Sequence, residues 1–277
     1  MLTTHQAPTV RDAAHPRLLE RAMEDIGQGL FRWRLPFALA RLDVRNRYRG
    51  SVLGPFWLTI STAVMLLALG FLYSQLFRLT LREYLPFLAV SLILWNMISS
   101  MVGEGCNSLT DQEGIIRQMP QPYSVHALRC VMRNAVVAAH NLPLILVVFL
   151  ACDWWPGWVA FWALPGLLLF LVDALAAAVL FGMLAARFRD IGPIVASVMQ
   201  IAFFCSPILW KPELLGAKAV WLPLNPFYAV METMRGPLVE GGVSMLVWAA
   251  ALTYSALLCL AACIIFVRFR SRIAFWV

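Results

Sequence analysis

Long apolar runs, separated by short polar stretches rich in arginine, set the character of this chain. Six of them, at residues 53–77, 85–102, 127–151, 158–186, 191–210 and 244–267, come close to or exceed the length at which a helix crosses a hydrocarbon layer, about 20 residues. The third run is interrupted by His140, Asn141 and Pro143, the fourth carries Asp173, and the fifth opens at Gly192-Pro193. The pattern predicts six membrane-spanning helices and no sheet.

Two connections are not simple turns. Residues 103–122 are polar, and NSLTDQEGIIRQM within them suits a short helix. Residues 211–242 are semi-apolar but broken by Pro212, Pro223, Pro226 and Pro237, too apolar for a free loop and too punctuated for a span. Short re-entrant helices fit that segment, because backbone at membrane depth must find its hydrogen bonds inside protein. Ahead of the first run lies RLDVRNRYRGSVLGPFW, in which Arg41, Arg45, Arg47 and Arg49 follow Arg34 with Asp43 as the sole acid. Residues 30–52 are therefore expected to form an amphipathic helix at the membrane surface. The resulting division is a tail at 1–29, the interface helix, a transmembrane domain at 53–267 and a second tail at 268–277.

Composition agrees. The chain is 61% hydrophobic and 13% charged, with a mean hydropathy of +0.75. Soluble domains are about 25% charged. The net charge of +7 does not point to nucleic acid, because the arginines lie between apolar spans rather than on one polar face. With the N-terminus inside, the arginines at 11–49, 117–133, 187–189 and 268–272 fall on the inner side, whereas only Arg78, Arg82, Lys211, Lys218 and Arg235 fall outside. That bias places both termini in the cytoplasm, and Trp154, Trp155 and Trp158 lie at the opposite boundary as an aromatic belt would. The six cysteines show no pairing or metal-ligand spacing. No phosphate-binding loop GxxxxGK[ST] is present, so ATP hydrolysis is not expected of this chain.

Asp173 is the acid that stands apart, near the middle of a span, where a carboxylate must face protein or water. Arg133 and His140 of the third span lie at comparable depth, and either is a candidate partner. An enzyme acting on lipid-linked sugars would need clustered His, Asp or Arg at the interface, but the histidines at 5, 15, 126 and 140 are scattered.

Motifs along the chain sharpen the picture. RNRYRGSVLGPFW before the first span, NSLTDQEGIIRQMPQP after the second, RFRDIGPIV before the fifth, FFCSPILW at its end, LNPFYAVMETMRGPL in the broken segment and the terminal RSRIAFWV occur in series. Together they resemble the membrane subunit of type-2 ABC exporters, and more narrowly the branch that exports O-antigen, capsule or teichoic acid chains in bacteria. Export of a small hydrophobic compound by a related permease is the alternative.

The resemblance implies a homodimer in the bacterial inner membrane around a central channel. It also implies two separate ATP-binding cassette subunits, which hold ATP and magnesium on the cytoplasmic face, and an anionic lipid-linked polysaccharide as cargo. On this reading Asn107, Asp111, Glu113, Ile115, Ile116 and Arg117 form the ATPase dock. Arg45, Arg47, Tyr48 and Arg49 meet the cargo's headgroup, arginine being a good phosphate ligand; binding of ordinary anionic lipids by the same residues is equally compatible. Candidate lining for the channel and its outer gate is Trp57, Tyr73, Trp95, Phe203, Phe204, Trp210, Tyr228, Glu232 and Arg235. Asp173, His140 and Arg133 are intramembrane polar positions, with Asp173 expected to fasten the bundle.

Overall fold

The computed structural model describes residues 18–54, 56–119 and 121–277. The expectation for residues 1–17 lies outside them, as do Pro55 and Pro120. Among the described residues all regular structure is helical: α1 Leu18–Phe31, α2 Arg34–Arg47, α3 Phe56–Phe77, α4 Leu81–Cys106, α5 Glu113–Gln118, α6 Tyr123–Ala139, α7 Leu142–Ala151, α8 Ala163–Arg187, α9 Ile191–Cys205, α10 Pro226–Val239, α11 Met245–Phe269 and α12 Ile273–Trp276.

α4 is the axis of the bundle. Tyr84 through Trp95 are buried without interruption, as expected of a helix apolar on every face. α3, α6, α8, α9 and α10 surround it. Its contact with α8 is close because the residues there are small. A Cβ on Gly105 would sit 3.1 Å from the Ala178 Cα, and one on Gly182 would sit 2.3 Å from the Ser108 Oγ. Small residues let helix backbones approach where lipid supplies no hydrophobic drive. α3 differs sharply: it buries only the stripe Leu66, Gly70 and Ser74 and leaves its other faces open.

Among the described residues five helical runs are long and apolar enough to cross a membrane, the third being α6 and α7 in series. The expected fifth span, 191–210, is instead the 15-residue helix α9. It stops because Ser206 precedes Pro207 and is held extended. The third run breaks at His140-Asn141 because Pro143 lacks an N–H and cannot continue α6. Thr59 Oγ1 donates to the carbonyl of His140 at 2.9 Å, satisfying one backbone group at that break.

One further expectation changes. The segment 30–52 is not one helix, since α1 runs on to Phe31 and α2 follows after a turn. The proline-broken segment holds a 3₁₀ run, Pro212–Leu224, kinked at Gly216, and then α10. α10 starts cleanly because the Asn225 side chain accepts from the Phe227 and Tyr228 N–H groups and Pro226 occupies the first turn. It returns into the bundle against α4, α8 and α11.

Candidate functional site

The arginine-rich end is tied by charge. α2 buries Pro36, Ala40 and Val44, one face at helical spacing, and packs on α6. This brings Asp43 to Arg129, whose Nε and NH2 grip both carboxylate oxygens at 2.7 and 2.5 Å, while its NH1 donates to Gln112 at 2.6 Å. One turn on, Arg133 donates twice to Glu104 Oε2, at 3.0 and 2.8 Å, and lies 3.6 Å from Asp43. Asn134 donates to the same Glu104 oxygen at 2.8 Å, and Arg47 holds the other oxygen at 2.9 Å. Helices α2, α4 and α6 and the start of the expected dock thus share one network.

The dock itself is braced from behind. Asn107 caps α4, Asp111 lies in the 3₁₀ turn Thr110–Gln112, and Glu113 opens α5; all three are exposed. Ile115 and Ile116 are half-buried, and Ile116 packs against the cluster of Ala22, Leu109, Met183 and Ile273. Arg117 pairs with Glu113 at 2.9 Å and donates to the Val277 carbonyl at 3.0 and 2.6 Å, so it is engaged within the chain. α1 joins this brace through Asp25. Its buried carboxylate accepts from the N–H groups of Tyr123 and Ser124, at 3.2 and 3.0 Å, and pairs with Arg270 at 2.7 Å. Pro122, at the N-cap of α6, has no side chain that can accept; Asp25 does that work from another helix.

Of the headgroup candidates, Arg45, Arg47 and Arg49 are exposed and Tyr48 is half-buried. Arg47 alone of the four is tied to an acid in the network.

At the opposite end stands a second charge cluster. Arg235 is fully buried, paired with Glu232 on the same helix and 3.4 Å from Glu240. It donates to Ser91 Oγ at 3.1 Å and to the Pro207 carbonyl at 2.5 Å, and lies 4.5 Å from the Phe87 ring centre. It therefore joins α10 to α4 and to the residues that follow α9. Glu240 reaches the surface, its side chain 26% exposed, yet partial desolvation, and then the nearby Glu232 carboxylate, push its carboxyl up to about 7.

Asp173 is buried but pairs with neither Arg133 nor His140. Its Oδ2 accepts from Ser255 Oγ of α11 at 2.8 Å, and its Oδ1 has no partner in the structure. Arg133 is held by Glu104 and Asp43 instead, and His140 Nδ1 lies 2.7 Å from the Val136 carbonyl. The expected pairing is overturned: span depth counted from loops matched the residues, but α6 turns Arg133 toward α2 and α4.

The aromatic candidates do not form one surface. Trp95 is buried, with the Phe203 and Phe227 rings each 5.8 Å away, and Tyr228 is buried beside Arg235. Tyr73 stacks on Phe77, and Trp210 packs partly buried beside Leu222 and Tyr228. Trp57 and Phe204 are exposed. The network members Asp43, Gln112, Arg129 and Asn134, and the tether Asp25, had no assigned role from sequence. A signal existed for two: Asp43 is the lone acid in an arginine run, and Arg129 and Arg133 share a face at i, i+4.

Comparison with known proteins bears on most of the chain. The sequence model of a family described as ABC-2 type transporter matches residues 35–239. The O-antigen export system permease protein RfbA of Myxococcus xanthus is 27% identical over 215 residues, which cover 76% of this chain and 83% of that protein. Two proteins of the same name from Klebsiella pneumoniae are 23% identical over 201 residues, covering 72% of this chain and 78% of each.

Proposed function

The chain belongs to the ABC-2 type transporter family, and from this we propose that it is the permease subunit of an ATP-driven exporter carrying a lipid-linked polysaccharide of the O-antigen kind. The observation that carries the reading is the similarity to O-antigen export permeases over most of the chain, in one serial order.

The permease works as a homodimer in the bacterial inner membrane with both termini cytoplasmic. α2 lies at the membrane surface, α9 with the residues after it completes the sixth crossing, and α10 re-enters from the periplasmic side. ATP and magnesium are held by partner ATPase subunits that dock at 107–119. Motion delivered there reaches the bundle through Gln112 and Arg129 into Asp43, and through Asp43 and Arg133 into Glu104 at the end of α4. Phosphate of the cargo meets Arg45 and Arg49 on the exposed face, with Arg47 able to exchange Glu104 for it.

The test is genetic and biochemical together. Deleting the gene should remove long-chain polysaccharide from the cell surface and leave lipid-linked chains on the inner leaflet, and the wild-type chain should restore export. Surface polysaccharide unchanged by deletion would overturn the proposal. Co-purification of an ATP-binding cassette protein, with Glu113→Arg weakening it, tests the dock.

A further inference from the structure

A cavity of about 420 Å³ with a mixed lining, apolar from Leu58, Ile93 and Val137 and polar from six further residues, opens between α3, α4 and the α6–α7 break. Thr62, Asn96, Ser99, Ser100, Asn134 and Asn141 contribute its hydroxyl and carboxamide groups, and none of its lining residues is charged. Asn96 lies well inside α4, 15 residues after its first, yet it is exposed while the preceding residues Tyr84 to Trp95 are buried. Asn141 is buried to 8% relative exposure, and its Oδ1 lacks a hydrogen-bond partner. Carboxamides at membrane depth face protein or a water-filled path, because lipid cannot satisfy them. An orphan buried amide oxygen costs free energy unless a donor arrives from elsewhere.

The chemistry of the lining selects the donor. A phosphate or carboxylate would find no cation in the cavity, and an ammonium would find no anion. A neutral polyhydroxyl molecule finds both donors and acceptors, since carboxamides supply each. The floor adds a second point: Asn134 donates its amide to Glu104, the residue that also holds Arg47 and Arg133. The cavity therefore begins where the arginine network ends.

We infer that this cavity is a binding site for uncharged sugar units, through which the glycan passes by exchanging hydrogen bonds with Asn96, Asn141 and their hydroxyl neighbours. The inference rests on the proposed export of polysaccharide and assigns its path to the carboxamide face of α4. The packed ring group of Trp95 and Phe203 is then a wall of the bundle.

Two experiments decide it. In a strain lacking the gene, surface polysaccharide per inserted permease is compared for the wild type, Asn96→Leu, Asn96→Ser and Thr62→Val. Asn96→Leu should lower export about tenfold, the scale of a lost hydrogen bond to an otherwise matched site. Asn96→Ser should keep most of it. Equal export by Asn96→Leu and wild type overturns the site alone, whereas failure of the wild type to restore polysaccharide overturns the export reading itself.

Independently, Ser99→Cys in the purified permease in nanodiscs should react with a water-borne methanethiosulfonate ammonium reagent, above the background of the wild-type cysteines. Maltohexaose at millimolar concentration should slow that reaction several-fold. No reaction, or no protection, overturns the inference.

Discussion

The two ends of this bundle solve the same problem, holding arginine in a largely apolar chain, in opposite ways. At the arginine-rich end Arg47, Arg129 and Arg133 share Asp43 and Glu104 across three helices, with side chains that retain 10–44% of their exposure. At the other end Arg235 has none, and its partners Glu232 and Glu240 come from the same helix and its exit. The spread network can lose a member and rewet, so it suits a surface that moves. The buried Arg235–Glu232 pair cannot, because either group left behind is an uncompensated charge. It suits a fixed joint between α10, α4 and the end of α9.

The sharpest way to break that contrast is Arg235→Met. Leaving Glu232 buried without its cation should cost about 3–5 kcal/mol, enough to remove most folded permease from membranes. Arg235→Met with Glu232→Leu should recover much of the loss; thermal unfolding and yield in detergent check both. A loss below about 1 kcal/mol in the single variant would mean that water reaches this cluster.

Next in size is Arg129→Met, which strips Asp43 of its two-pronged partner and Gln112 of its donor. We expect about 2 kcal/mol, the range of a charge-assisted hydrogen bond that is not fully buried. A double-mutant cycle with Asp43→Asn measures the coupling, and the double variant should lose less than the sum of the two single variants. If the network carries force, ATP hydrolysis should also become less dependent on cargo.

Asp25→Ala removes a borrowed helix cap and the partner of Arg270, and about 1 kcal/mol should be lost. Of comparable size is the pH response of Glu240 at the rim of the Arg235 pair. Glu240 binds its proton more tightly in the folded protein than its ordinary value of 4.5 would give. The folded state therefore holds more protons, and stability should fall as pH rises from about 4.5 through about 7. Glu240→Gln should flatten that slope and raise Tm at pH 8 by about 2–4 °C. A Tm that rises with pH equally in both proteins would contradict the assignment.

What was legible in the sequence divides along the same line. Spans that are apolar throughout, such as α4, α8 and α11, follow from length and composition, since little else can be done with such residues. α9 was overextended because Ser206-Pro207 ends a helix while Ile208, Leu209 and Trp210 keep the run apolar. The i, i+3 pair Glu232–Arg235 could be read locally, but its burial could not, because Ser91 and Pro207 arrive from distant segments. Sequence depth makes Arg133 and His140 equal candidates for Asp173, and neither pairs with it for a related reason: depth along a span can be counted, whereas the direction a helix face points depends on what packs against it. Asp25, capping a helix whose N–H groups lie 98 and 99 residues away, leaves no local trace at all.

The smallest stability effect tests the largest functional distinction. Arg47 is 44% exposed and its ion pair with Glu104 is a surface pair, so Arg47→Gln should change stability by less than about 1 kcal/mol. Glu104 keeps Arg133 and Asn134 on its other oxygen, so the network survives. If Arg47 exchanges this carboxylate for the cargo's phosphate, the ratio of stimulated to basal ATP hydrolysis should fall in the variant. A short-chain polyprenyl pyrophosphate is the probe, with Arg45→Gln and Arg49→Gln as companions that break no ion pair of the network. A drop shared equally by all three marks a diffuse positive surface that concentrates anionic lipid. A drop confined to Arg47 marks a residue that hands the headgroup to the network beneath it. A Tm loss of several degrees in Arg47→Gln would instead place Arg47 among the fixed joints and erase the contrast between the two ends.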